Sequence, residues 1–285
     1  LKCYAQLINI DWLKCSLGSL GGGNHFIEVH VSEDGTKYLI IHSGSRNLGK
    51  QVAQIYQEKA IDQCKGISVY KEEKNNIVEN LKAEGRFQEI ETALKNFEKK
   101  KLEQAVDIPD DLCYVSGKLL EDYLYDVEIC QRFAKRNREL MAEIILKQTG
   151  IIPYSSFHTI HNYIDIKEMI LRKGSIAARD GEKVLIPINM RDGSVLAIGK
   201  GNSEWNYSAP HGAGRLMSRM QAKENISLED YKKSMEGVYT TSVNLETLDE
   251  APMAYKSLND IIDVIKETVD IIEVMKPIYN FKASE

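Results

Sequence analysis

Between residues 51 and 150 the chain carries charged residues on a helical pattern, and this block separates two regions of short, apolar, strand-like runs. That order is the strongest constraint on the fold. Strands gathered on either side of a long helical stretch favour an α+β fold, with mixed β-sheets packed against helices, over a regular βαβ series. Before the block, Lys37-Tyr38-Leu39-Ile40-Ile41 reads as a buried strand flanked by glycine-rich segments. After it, residues 183–189 and 195–199 read as paired strands around the turn Arg191-Asp192-Gly193. Inside the block, residues 121–148 place Leu124, Val127, Leu140 and Ile144 at helical spacing. The charged stretch 71–103 reads as a solvated helical face, with Lys99-Lys100-Lys101 a candidate RNA contact. A helix is predicted to begin near His211, after Ser208-Ala209-Pro210. The last helix is predicted over residues 257–275, with Leu258, Ile261, Ile262, Ile265, Val269 and Ile272 on one face.

Composition narrows the function classes. With 285 residues, 43% of them hydrophobic, the chain can bury one large core or two small ones. No apolar run reaches the roughly 20 residues that cross a bilayer, and residues 1–6 show no signal-peptide pattern. Five cysteines, an odd number at irregular spacings without a Cys-x-x-Cys pair, suit a reduced, cytoplasmic chain better than a disulfide scaffold. A formal charge of −5 argues against indiscriminate nucleic-acid binding over the whole surface, but leaves room for a local basic groove.

The chemistry concentrates on histidines. There are six, and four lie in polar, glycine-rich settings. In Gly21-Gly22-Gly23-Asn24-His25-Phe26-Ile27-Glu28, the glycines let backbone N–H groups approach an anion, and His25 can reach a metal or a phosphate; a flexible turn before a core histidine is the plainer alternative. In His42-Ser43-Gly44-Ser45-Arg46, His42 sits at a strand end before a helix, and Arg46 can hold an anion; a hydrogen-bonded loop with a solvated arginine would read the same. His158 and His161, three apart, are predicted on one helical face at metal-ligand spacing, with two ligands or fewer. In Pro210-His211-Gly212-Ala213-Gly214-Arg215, small residues leave the His211 ring accessible and Arg215 could neutralise a phosphate, as a histidine nucleophile at phosphorus requires; helix packing through small residues is the alternative. Histidines without a cysteine cluster suit an open, catalytic divalent site rather than structural zinc. The residues alone therefore point to a metal-assisted phosphoryl or nucleotidyl transferase.

These motifs, in this order, resemble the RtcB-type RNA-splicing ligases. The resemblance extends through Arg172-Lys173-Gly174, Glu250-Ala251-Pro252, Ala254-Tyr255-Lys256 and Lys276-Pro277-Ile278-Tyr279-Asn280-Phe281-Lys282, over nearly the whole chain. It implies a single RtcB-like catalytic domain over residues 1–285, with a helical insertion at 64–149. It also implies a GTP- and manganese-dependent RNA ligase. A histidine is guanylylated, GMP passes to an RNA 3′-phosphate, and a 5′-hydroxyl then attacks, a 2′,3′-cyclic phosphate being opened first. By resemblance His211 is the nucleophile, and His25, His42 and His161 are manganese ligands. Asn24 and Asn162 would hold the nucleotide phosphate, Glu28 with Lys282 would read guanine, and Phe26 and Tyr255 would pack near the base. Asn189, Ser194, Gly212, Ala213 and Gly214 complete the expected nucleotide site, and Arg46 and Arg215 the expected phosphate or RNA contacts. An archease-like activator is a candidate partner; no membrane is.

Two departures stand out. Family members carry an Asp-x-Gly-Cys-Gly segment upstream of Gly-Asn-His, and neither Cys3 nor Cys15 lies in such a context. The expectation is that an N-terminal portion is missing, that the second metal position is impaired, and that the chain alone ligates poorly. At Ile188-Asn189-Met190 the family more often has Gly-Ser-Met, which bears on the guanine or ribose contacts. Rival readings are a metal-dependent phosphohydrolase and a non-catalytic RNA-end-binding homologue.

Overall fold

The strand-like run after the first glycine-rich segment pairs with its neighbour as an antiparallel hairpin, β1 (Phe26–Val31) with β2 (Lys37–His42), in the register Phe26↔His42 to Val31↔Lys37. Along β1 the side chains alternate between buried and half-buried, as the period of two requires for a strand with one face in the core. The structure, a computed structural model, describes residues 1–104 and 108–282.

The chain divides into two compact units, Leu1–Leu13 with Asn47–Cys130, and Lys14–Arg46 with Gln131–Glu285. The first is helical. A short α1 (Ile10–Cys15) precedes the hairpin in sequence; α2 (Asn47–Lys65), α3 (Ile67–Ala83) and α4 (Ile90–Gln104) follow it. The long α5 (Gly117–Thr149) contributes its first part to this unit and its remainder to the second. Of the expected insertion at 64–149, residues 105–107 lie outside the described residues, as do 283–285 of the whole-chain domain. The charged stretch is a solvated helical face, with no buried residue among the described side chains of 71–101, and ion pairs cross it. Lys74 pairs with Glu98 at 2.7 Å and Lys101 with Glu73 at 2.7 Å, joining α3 to α4. Asp126, fully buried on α5, accepts from the backbone N–H groups of Lys2 (2.6 Å) and Cys3 (2.9 Å) and from the Tyr56 hydroxyl (2.9 Å).

The second unit holds the sheets. β3 (His161–Asp165), β4 (Ile170–Ala177) and β7 (Ser208–Pro210) form an antiparallel three-stranded sheet in the order β3-β4-β7. The predicted hairpin is present as β5 (Lys183–Asn189) and β6 (Gly193–Gly199), its turn closed by the Asn189 side-chain oxygen, which accepts from the N–H groups of Arg191 and Asp192. The larger sheet runs β2-β1-β9-β6-β5, where β9 is Val269–Phe281, and a two-residue β8 (Tyr239–Thr240) adds parallel to β9. One core is formed by Ile176, Val184, Ile186, Val195, Ala209 and Val269 with Ile261 and Ile265 of α8 (Leu258–Ile265).

Three local expectations are corrected. The helix predicted over 257–275 stops at Ile265, where the Thr268 N–H and hydroxyl both bond the Ile265 carbonyl, and the chain continues as β9. Val269, Ile271, Ile272 and Val274 are β-branched, and β9 pairs with β6 over residues 269–275 and with β1 over residues 276–281; the apolar Ile272 on its exposed face fills out what reads as a helical stripe. No helix begins at His211. The segment 208–210 is β7, and the next helix, α6 (Arg219–Asn225), starts behind a Ser218–Gln221 capping box, followed by α7 (Leu228–Ser234). Gly212 and Gly214 carry the helix cost of a missing side chain. Finally, His158 and His161 do not share a helical face. His161 opens β3, and Asn162 takes a left-handed conformation (φ 55°) at an irregularity in the β3–β4 register.

Candidate active site

Two strand pairings in different sheets aim four imidazoles at one place. In the first, the register Phe26↔His42 sets His42 across from the strand residue next to His25, and the Phe26 and His42 rings stack at 5.0 Å with planes 10° apart. In the second, Ile176 of β4 lies between His161 of β3 and Ala209 of β7. The chain leaving β7 brings the His211 N–H to the Gly174 carbonyl at 3.3 Å. The result is a row of rings with centroid separations of 5.9 Å for His25–His42, 5.1 Å for His42–His161 and 4.7 Å for His161–His211. His158 lies outside this row, 3.5 Å from the Glu139 carboxylate.

Burial makes three of these rings, those of His25, His42 and His161, poor proton acceptors. The His42 pKa is pushed down to about 3, first by burial and then by neighbouring His161 and His25. His161 is lowered to about 4, again by burial first and then by His211. His25 is lowered by burial and by the Arg46 charge. Neutral imidazole is the form that ligates a metal. The Nδ1 atoms of His25 and His161 are buried and have no hydrogen-bond partner, so donors with free lone pairs or unpaired N–H groups face the site. In donor chemistry these residues fit a manganese site. Among the described residues no group of three or more His, Cys, Asp or Glu is gathered closely enough to hold a metal by itself.

The glycine-rich loops are held from beneath by one buried amide. Asn137 on α5 accepts from the N–H groups of Gly18 (2.6 Å) and Ser19 (3.1 Å) through Oδ1. Its Nδ2 donates to the Ser19 and Gly44 carbonyls (3.1 and 3.2 Å) and to the Ser43 hydroxyl (3.0 Å). The segments bearing His25 and His42 are thereby tied to the same side chain. Arg138 adds a bond from Nη1 to the Ser43 carbonyl at 3.1 Å. Gly21 has φ +85°, and a Cβ there would fall on the Arg46 guanidinium, which bonds Ser19 Oγ (3.1 Å) and the Leu20 carbonyl (3.4 Å).

A cavity beside the row is bordered by Asn24, Phe26, Glu28 and His42 from the first hairpin and by Asn189, His211, Gly212 and Ala213. Tyr255, Lys282 and Glu250 border it as well. Asn162, Ser194 and Gly214, also expected at a nucleotide, do not line it. The Asn162 oxygen accepts from the Gly174 N–H at 2.8 Å, Ser194 is fully buried in β6, and Gly214 lies against Lys256. Glu28 is already engaged on both oxygens, by Asn280 Nδ2 at 2.5 Å and His30 Nε2 at 2.8 Å. Lys282 Nζ donates to Glu250 at 2.6 Å, and the Tyr255 hydroxyl donates to the same oxygen at 2.8 Å. Burial alone would raise the Glu250 carboxyl; the Lys282 charge and the hydrogen bonds from Lys282 and Tyr255 overcome it and hold the group below its ordinary value. Arg215 bonds the Met217 and Asp249 carbonyls and the Tyr255 hydroxyl, so its guanidinium organises this wall of the cavity.

Sequence reasoning does not single out Glu250, Asn137 or Arg138 as functional; Glu250 figures there only as part of a motif. Asn137 shares a helical face with the partly buried Leu140 and the buried Met141, three and four residues on, and a polar residue in such an apolar stripe is the signal that could have found it.

The chain is similar to known proteins along nearly its full length. The family described as tRNA-splicing ligase RtcB matches residues 9–283. The RNA-splicing ligase RtcB1 of Escherichia coli (strain ATCC 25922) is 28% identical over 295 residues, covering 96% of this chain and 63% of that protein. The RNA-splicing ligase RtcB of Escherichia coli K12 is likewise 28% identical, with 96% and 63% covered. The tRNA-splicing ligase RtcB of Aeropyrum pernix is 29% identical over 292 residues, covering 87% of the chain and 55% of that protein. The chain thus spans less than two thirds of the length of these curated relatives.

Proposed function

The chain belongs to the tRNA-splicing ligase RtcB family, and from that premise we propose that it works in joining RNA ends through a GMP carried on His211. The observation that supports this most directly is the row of four imidazoles ending at His211, which borders a cavity lined by Phe26, Glu28 and Lys282.

In this reading a ring nitrogen of His211 attacks the α-phosphorus of GTP and pyrophosphate leaves. An oxygen of an RNA 3′-phosphate then attacks the GMP phosphorus, and the imidazole leaves. The 5′-hydroxyl of the second end attacks the activated 3′-phosphorus, and GMP leaves; a cyclic phosphate is opened to the 3′-phosphate beforehand. Glycines around His211 leave the approach to phosphorus open. In the same reading the donors and acceptors of guanine would meet the Glu28 carboxylate and the Lys282 ammonium, both of which border the cavity. Asn24 and Asn189 can orient phosphate and ribose oxygens. His25, His42 and His161 would hold manganese, which supplies charge neutralisation at the phosphates and a lowered pKa for an attacking hydroxyl. An archease-like activator belongs to the same proposal.

The test is incubation with α-labelled GTP and manganese. It compares the chain alone, the chain joined to the Asp- and Cys-bearing segment of a relative, and the joined His211→Ala variant. Acid-labile label on the joined chain, absent from the variant, is the expected result. A folded joined chain that takes no label, yet hydrolyses phosphate esters or only binds RNA ends, would overturn the ligase reading.

A further inference from the structure

A second cavity, of about 380 Å³, shares Phe26, His42, Pro187 and His211 with the first and also reaches His161. It lies wholly within the second unit. Two chambers meeting at one reactive ring are what a two-substrate transfer needs, because each reactant is then held before the reacting atoms approach. The volume falls at the lower end of the range for small-ligand sites.

Its walls have the character of a nucleotide site. Ile40, Leu146 and Leu185 provide apolar surface, and the Phe157 ring, 38% exposed, faces the space among them. Arg138 borders the same cavity. Its Nη1 is committed to the Ser43 carbonyl, whereas Nη2 is buried with no partner. A buried guanidinium N–H left unpaired carries its full desolvation cost, which a phosphate oxygen would remove. The Arg138 charge is near enough to act on both His158 and His161. Glu139 and Glu143 also border the cavity, but Glu143 is paired with Arg136 at 2.5 Å, and Glu139 lies 3.8 Å from the Lys135 ammonium and 3.9 Å from Arg136. With these cations beside them, they repel a phosphate less and remain acceptors for the N–H groups of a base.

We propose that this cavity seats the 3′-terminal nucleoside of the RNA, its base on Phe157 and its phosphate on Arg138, turned toward His161 and His211. The assignment rests on the RNA-end-joining reading and names the residues that would select and place the acceptor end. Aromatic stacking holds any base, so the cavity favours the presence of a base over its identity.

The test is binding of a fluorescent oligoribonucleotide without GTP or added metal. Three ligands are compared: a 3′-phosphate end, the same end with an abasic terminal nucleoside, and a 3′-hydroxyl end. Each is titrated against the wild-type chain, Phe157→Ala and Arg138→Gln, with thermal melts checking that each variant is folded. Removing the terminal base should weaken wild-type binding about tenfold, and should add little in Phe157→Ala. Removing the 3′-phosphate should weaken the wild type similarly and add little in Arg138→Gln, since each pair deletes one contact from its two sides. Equal wild-type affinity for intact and abasic ends, or losses that simply add, would overturn the assignment; the ligand changes alone suffice if Arg138→Gln does not fold. Labelling of His211 by GTP is read separately. Intact labelling with base-independent binding sinks only the cavity assignment, whereas base- and phosphate-dependent binding without labelling leaves it standing and sinks the guanylylation.

Discussion

Replacing Asn137 by Ala removes the amide that holds both histidine-bearing loops from beneath. Its oxygen accepts from Gly18 and Ser19, and its nitrogen serves two carbonyls and the Ser43 hydroxyl. The residue is fully buried, so the Gly18 N–H loses its acceptor at a site water reaches poorly, while the Ser19 N–H keeps the Ser16 carbonyl at 3.2 Å. The stranded donor costs about 1–3 kcal/mol, and the lost amide N–H bonds add about 1 kcal/mol. The expected loss is therefore about 2–4 kcal/mol, measured by urea denaturation from the shift in midpoint at constant slope. Asn137→Asp keeps the acceptor for Gly18 and Ser19 but turns a fully buried carboxylate toward the Ser19 and Gly44 carbonyls, so it should rescue little of the loss at neutral pH. A loss below about 1 kcal/mol in Asn137→Ala would show that these loops are held by other contacts, and the account of how His25 and His42 are positioned would be wrong.

Other outcomes follow from the same geometry. Glu250→Gln should cost about 3–5 kcal/mol at pH 7, because it leaves the buried Lys282 ammonium without its counter-charge. The Glu250 carboxyl titrates below its ordinary value of 4.5, so its contribution is complete above that value and is lost as pH falls through the lower folded value. The gap between wild type and variant should accordingly narrow in urea melts taken progressively below pH 4.5; a gap that widens would contradict the pairing. Gly21→Ala should destabilise by about 1–2 kcal/mol from its left-handed backbone alone, and displacement of Arg46 should appear as faster amide exchange at Ser19 and Leu20. Glu98→Gln removes an exposed partner of Lys74, and should leave the urea midpoint where it was.

Much of this chain was legible locally. The turn residues and alternation of 183–199 specified the β5–β6 hairpin, because register and turn chemistry are properties of adjacent residues. The apolar spacing in 121–148 marked nearly the whole of α5. The histidine motifs were visible because imidazoles beside glycine triplets and strand ends are rare in plain packing. The last strand was not legible. Val269–Phe281 pairs first with β6 and then with β1, and its exposed Ile272 breaks the alternation of apolar and polar residues that would have marked a strand. The expected helix at His211 failed for a related reason, since Ser208–Pro210 becomes a strand only because β4 is there to pair with it.

By itself, then, the amino-acid order determined the residue types of the site, the strand that leads into His42, the β5–β6 hairpin and the family to which the chain belongs. Only the tertiary structure decided that His25 and His42, from one sheet, and His161 and His211, from another, form a single row. It alone showed that Asn137, remote in sequence, ties two loops together, and that Glu250 rather than solvent receives Lys282. The physical reason is that strand register and burial arise from pairings between distant segments. These create the buried surroundings that keep the His25, His42 and His161 imidazoles neutral and turn polar groups such as Lys282 and Glu250 toward each other.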